Sequence, residues 1–496
     1  MNKISLPILV FLCVSNFLVA QTRTIPTDTT VVTKHSTVIN GVKILYTATT
    51  GTQPVWDKEG NAKATLFYTY YKRTNNVHTE KRPLVMSFNG GPGSASVWMH
   101  LAYTGPNVLN IDNEGHPVQP YGYHKNEYSI LDVADIVYIN PVNTGYSRTV
   151  PRKEKKVNKA DFFGVNADIN YLAEWLTTFV TRNNRWASPK YLIGESYGGT
   201  RVSGLAHRLQ SSQWMYLNGV ILVSPADYGA RNSDNAVSSP IDFPYFTAAA
   251  WYHKMLAPEL QNKDLLDILP ESENFAINSL MPAIAKGGFI SAEEKNQIAE
   301  KMAFYTGVSK KVILQHNLVL PNRFFWKELL RNKTGHTIGR LDSRYLGIDK
   351  KEAGDAPDYS AELTSWLHSF TPAINHYIRT HLKFKTDVKY NMFGPVHPWD
   401  MRNNNTREDL RKAVAQNPYL QVLFQAGYYD GATTYFNSKY TMWQVDPSGK
   451  LKDRMHFKGY RSGHMMYLRK ADLKTANDDI RNFIKASASK GKAAKY

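Results

Sequence analysis

The stretch Lys190-Tyr191-Leu192-Ile193-Gly194-Glu195-Ser196-Tyr197-Gly198-Gly199 constrains this chain more than any other. A short apolar run, long enough for one buried strand, ends at a G-x-S-x-G sequence. A helix-forming stretch over 200–210 follows directly. Glycines on either side of the serine let the backbone turn sharply from strand to helix, and the turn pushes the serine hydroxyl out beyond the sheet. The rest of the sequence suits such a turn. Residues 84–88, 134–139, 190–193, 217–223, 419–426 and 454–459 read as strands, and 161–182, 200–210 and 470–486 as helices. Strands alternating with helices predict an α/β fold, a mostly parallel sheet covered on both faces.

The chain opens differently. Residues 31–39 and 42–49 flank Asn40-Gly41, the strongest short hairpin signal, and 64–72 adds a third strand. An antiparallel meander therefore leads into the parallel sheet. From about 226 to 390 the rhythm breaks into helix-like pieces with few strands, which predicts an inserted helical cap. The sheet domain is then 21–225 together with 391–487, and 488–496 is a basic tail expected to be flexible.

Residues 1–20 read as a signal peptide: Lys3, an apolar run over 6–14, and a cleavage point near Ala20. The run is too short to span a bilayer, and no other stretch approaches a membrane span. The lone Cys13 lies inside this leader, and Phe11-Leu12 before it lack the small residues of a lipidation site. An exported chain, periplasmic or secreted, without disulfides is the expectation. The net charge of +18 is spread along the chain, so an enzyme with a basic surface is favoured over a nucleic-acid binder.

A serine hydroxyl needs a base to take its proton and a carboxylate to orient that base. Two residues stand just after later strands, in the order the Gly-flanked serine requires. Asp430 follows the 419–426 strand, and His464 sits in Ser462-Gly463-His464-Met465 after the last one. Each alone is an ordinary loop residue; with Ser196 they form a coherent set. A developing oxyanion needs two backbone N–H donors. Tyr197 supplies one position, and Asn89-Gly90-Gly91-Pro92-Gly93, after the 84–88 strand, supplies the other. No metal or cofactor is called for. His368, His376 and His381 are spaced by eight and five, not as a helical i, i+4 pair. Asp112-Asn113-Glu114-Gly115 reads as a turn, and Arg152, Lys153, Lys155, Lys156 and Lys159 as a solvated basic loop.

Four segments together resemble the serine carboxypeptidases, the S10 peptidases of the α/β-hydrolase fold. They are Asn89-Gly90-Gly91-Pro92-Gly93-Ser94-Ala95-Ser96, Asn140-Pro141-Val142-Asn143-Thr144-Gly145-Tyr146-Ser147, Gly194–Gly199 and Gly463-His464-Met465. The resemblance implies release of C-terminal residues from peptides, with Ser196 as nucleophile, His464 as base and Asp430 as its partner. It implies an oxyanion hole from Gly91 and Tyr197, and Asn89 and Glu195 as ligands of the substrate's terminal carboxylate. Met465 would border the leaving-group pocket. Three departures stand out. Tyr103 occupies the position of a second Glu that the family commonly has. Ser94 stands where many members have a cysteine. Asn140 replaces a common Asp. The Tyr103 departure keeps open an esterase or acyltransferase using the same triad; a catalytically silent peptide-binding protein is the remaining alternative.

Overall fold

The structure, a computed structural model, describes residues 23–75, 78–151, 157–226 and 235–488, with 491 and 493. The leader, most of the basic run at 152–159 and most of the tail lie outside the described residues.

The opening hairpin pairs β1 (Thr29–Ile39) with β2 (Val42–Trp56). Asn40 and Gly41 both take positive φ, 48° and 78°, as a two-residue turn matching the strand twist requires. β3 (Ala62–Arg73) completes the meander and pairs antiparallel with β5 (Asp135–Ile139). Beyond it, β5, β4 (Leu84–Phe88), β6 (Lys190–Glu195), β7 (Gly219–Val223), β8 (Gln421–Gly427) and β9 (Met455–Tyr460) run parallel in that spatial order. The chain steps from β4 to β5 on one side and then to β6 on the other. Such a reversal leaves a crevice at the carboxyl ends of the central strands.

Alternation of side chains along each strand builds two cores. Val85, Ile136, Ile193 and Leu423 face one layer, formed by Lys470–Ser487, Val97–Ala102 and Ala361–His376. Met86, Val137, Leu192 and Val422 face the other, formed by Val165–Arg182, Tyr197–Ser212 and Thr406–Gln416. The helix expected over 161–182 starts at Val165, because a single turn at Lys159–Asp161 and Gly164 precede it. The helix after Ser196 starts at once, at Tyr197.

Between β7 and β8 the chain is mostly helical. Asn235–Tyr252, Leu265–Phe275, Ala292–Thr306 and Asn322–Glu328 enclose a third core around Phe243, Phe246, Leu269, Tyr305 and Phe325. Ala361–His376 belongs elsewhere. Its Trp366 and Phe370 are buried in the sheet core, with the Phe370 ring 4.6 Å from that of Trp98. No helix among the described residues is long and apolar enough to cross a membrane.

Candidate active site

Ser196 sits between β6 and its following helix with φ 58° and ψ −126°, a left-handed conformation that a non-glycine residue adopts only under constraint. The constraint is visible around it. A Cβ on Gly194 would come within 2.1 Å of the Gly198 carbonyl oxygen, so only hydrogen fits there. The Ser196 N–H donates to Val223 O (2.9 Å), and its carbonyl accepts from Gly199 and Ala226.

The structure brings Asp430 and His464 together. His464 Nδ1 is 2.7 Å from Asp430 Oδ2, both residues buried. The other carboxylate oxygen accepts the N–H groups of Ala432 (2.8 Å) and Thr433 (3.0 Å). The Thr433 hydroxyl lies 2.6 Å from Asp430 Oδ2 and 3.0 Å from His464 Nδ1. Burial by itself disfavours the imidazolium. The Asp430 charge and hydrogen bond outweigh it, and His464 is held above its ordinary value. The backbone ties the base to the serine: Ser224 Oγ donates to His464 O (2.8 Å), and Ser224 follows Val223, the acceptor of the Ser196 N–H. Among the described residues no hydrogen bond joins the Ser196 hydroxyl to His464; such bonds commonly tighten only when substrate is bound.

The Gly-rich loop after β4 packs against the start of the serine helix. A Cβ on Gly90 would sit 2.5 Å from the Tyr197 nitrogen. Gly91 takes φ 105°, open to glycine and strained for other residues. Among the described residues neither the Gly91 nor the Tyr197 N–H is engaged by a protein acceptor. Arg201, fully buried on the serine helix, holds this loop from below. It donates to Asn89 O (2.5 Å) and Pro92 O (3.2 Å), and its charge is met by Asp168 at 2.6 Å. Arg201 carries no motif; its sequence signal is an arginine five positions past the serine in a helix of small and apolar residues.

Asn89 and Glu195 are also brought together. Asn89 Nδ2 donates to Glu195 Oε1 (2.9 Å), and Asn89 Oδ1 accepts the Met99 N–H (3.1 Å). Tyr467 donates to the second Glu195 oxygen. Burial pushes the Glu195 carboxyl up to about 7, against the opposing effects of His464, Tyr467 and Asn89. Tyr103 does not bond Glu195. Its ring stacks on Tyr467 (4.5 Å, 12°), and its hydroxyl donates to Gln425 (2.7 Å). Met465 is buried beside this cluster in the sheet core.

The other departures acquire structural reasons. Ser94 Oγ accepts the Trp98 indole N–H at 2.8 Å. Asn140 accepts the Ser96 N–H (3.0 Å) and donates to Phe67 O (3.1 Å), and an aspartate could not make the second bond. Among the described residues no cluster of His, Cys, Asp or Glu could hold a metal ion. Asp112 accepts the N–H groups of Glu114, Gly115 and His116, which makes the segment a turn.

The sheet and its crevice define an α/β hydrolase. A model of the serine carboxypeptidase family matches residues 55–458, and the chain belongs to that family. It is 30% identical over 149 residues to the vitellogenic carboxypeptidase of Aedes aegypti, covering 30% of this chain and 28% of that protein. It is 24% identical over 247 residues to serine carboxypeptidase S10 family member 1 of Dictyostelium discoideum, covering 49% and 52%. The chain thus spans about half or less of the length of these relatives. Among solved structures, a prohormone-processing carboxypeptidase of Saccharomyces cerevisiae shares the fold. Its TM-score is 0.54 and its identity 14%, over 89% of this chain and 92% of that one.

Proposed function

We propose that this chain is a serine carboxypeptidase, removing the last residue of a peptide through an acyl-enzyme, with no metal or cofactor. Ser196 Oγ attacks the scissile carbonyl. His464 Nε2 takes the serine proton and passes it to the leaving amine, while Asp430 holds the Nδ1–H and balances the imidazolium. The Gly91 and Tyr197 N–H groups receive the oxyanion. Asn89 and Glu195 take the terminal carboxylate. A chain exported after removal of residues 1–20 fits this reading, as does a cap formed by the helical core of residues 235–330.

One observation carries the proposal. A buried carboxyl, Glu195, stands immediately before the serine, raised to about 7 and bonded to Asn89 of the Gly-rich loop. A protonated acid there can donate to a substrate carboxylate, whereas an ester substrate offers it nothing to bind. The test is to incubate the purified chain with a blocked dipeptide as free acid, with its C-terminal amide, and with a simple ester. Preferential release from the free acid supports the proposal, and an ester-only activity refutes it. Ser196→Ala should abolish both release and labelling by a fluorophosphonate, with turnover down by about 10⁴ or more.

A further inference from the structure

The segment Gly339–Leu341 runs alongside both loops that carry the proposed acid and base. Arg340 O accepts the Gly431 N–H (3.0 Å), one residue past Asp430, and Leu341 O accepts the N–H of His464 itself (2.7 Å). The Leu341 N–H is held in turn by Glu362 (2.8 Å). The backbone of Arg340 is therefore fixed against the site. Its side chain is exposed, and among the described residues it makes no ion pair or hydrogen bond. The same holds for Arg323.

Both arginines line one cavity of about 360 Å³, with Trp326, Ile338 and Tyr359 as its apolar and aromatic walls. Asp358 also lines it, with one carboxylate oxygen accepting the Lys350 N–H at 2.9 Å. The charge of Arg340 is felt at His464. This is an aromatic-walled recess with two unpaired guanidinium groups, one of them on the segment whose backbone abuts the loops of Asp430 and His464. A guanidinium is a planar fork matched to a carboxylate, and an aromatic wall gives the aliphatic stem of a side chain something to pack on.

We propose that Arg340, together with Arg323, reads an acidic side chain of the peptide, so that the chain favours substrates with Asp or Glu as the last or the penultimate residue. This rests on the carboxypeptidase reading and adds a substrate class to it. The carboxylate on the last residue and that on the penultimate one offer the same chemistry, and the assay separates them.

The experiment measures kcat/KM at pH 6 for five blocked dipeptides as free acids: Ala-Ala, Glu-Ala, Ala-Glu, Lys-Ala and Ala-Lys. At that pH an ordinary Glu side chain is ionised. The expected result is a preference of about fivefold to tenfold for Glu over Ala in one position, with Lys disfavoured there, weakening as salt screens the exposed groups. The position showing the preference identifies which residue occupies the cavity. In Arg340→Gln the Glu-to-Ala ratio should fall to near one, and in Arg340→Glu it should favour Lys. Arg323→Gln should lower the ratio as well. The ratio is the readout because a general loss of activity leaves it unchanged. Release of Ala-Ala with no Glu preference in either position overturns this inference alone, as does a preference that survives Arg340→Gln. Failure to cleave any of the five peptides overturns the carboxypeptidase reading, and this inference with it.

Discussion

Replacing Glu195 by Gln should remove one limb of the pH profile and leave the other. The Glu195 carboxyl is raised from 4.5 to about 7 by burial. Below that value it is protonated and can donate to the substrate's terminal carboxylate; above it, two carboxylates face each other. The protonated fraction is about half at pH 7, about one in eleven at pH 8 and about one in a hundred at pH 9. For a free-acid peptide, kcat/KM relative to the matching amide should therefore fall about fiftyfold between pH 7 and pH 9. The acid limb has another origin. His464 must be neutral to accept a proton, and its value is raised by Asp430 against burial, so activity falls with pH for the acid and the amide alike. In Glu195→Gln the free-acid to amide ratio should stay level from pH 6 to pH 9. The Gln oxygen can still accept from Asn89, and its N–H can face the Tyr467 oxygen or the substrate. Stability gives an independent reading with a defined sign. A carboxyl whose folded value lies above its unfolded one contributes stability that is complete below about 4.5 and lost as pH rises through about 7. The loss is about 3 kcal/mol in alkali. Glu195→Gln escapes that loss, so it should melt above the parent at pH 9 and show no such gain at pH 5. Superimposable profiles for acid and amide above pH 7 in the parent chain would refute this reasoning.

Three further outcomes follow from contacts around the site. Thr433→Val removes the hydroxyl 2.6 Å from Asp430, and kcat/KM should drop about tenfold with an unchanged circular dichroism spectrum. Gly431→Ala places a methyl 2.5 Å from the Tyr245 hydroxyl and 2.6 Å from the Trp326 indole nitrogen, and urea titration should show a loss of about 1–3 kcal/mol. Arg201→Met leaves Asp168 buried without its counter-charge, and the same titration should show a loss of about 3–5 kcal/mol together with a lower kcat.

The parts of the site legible in the sequence are those whose position is fixed by a neighbouring strand end. Ser196, Asp430 and His464 each follow a strand, and a strand end is marked by local composition. Asn89 and Glu195, which lie just past the end of β4 and at the end of β6, entered only through the family resemblance. Tyr467 was not legible. It reaches Glu195 from 272 positions away, and nothing local marks a tyrosine that will donate to a buried carboxyl. Tyr103 illustrates the same limit from the other side. Its position pointed to a missing carboxylate partner, while the structure fills that role from a different segment and uses Tyr103 as a stacking surface for it. Helical spacing showed that 226–390 would be largely helical. It could not show which core each buried face would join. That is why Ala361–His376, which packs Trp366 and Phe370 against the sheet layer, is indistinguishable in sequence from helices enclosing Phe243 and Phe325.

The strap at Gly339–Leu341 has a consequence for how such a chain can change. A Cβ on Gly463 would come within 2.5 Å of the Asp342 side chain, and Arg344, paired with Asp342, also donates to Ser462 at 2.9 Å. The loop bearing His464 is thus moulded onto a stretch of the inserted region, not merely roofed by it. Transplanting helices from another enzyme would preserve the spacing of Asp430 and His464 only if residues 339–344 came from this chain as well. This short stretch belongs, mechanically, to the machinery beneath the helices, as do Tyr245 and Trp326, which close on Gly431, and Asp242, which accepts from Thr434.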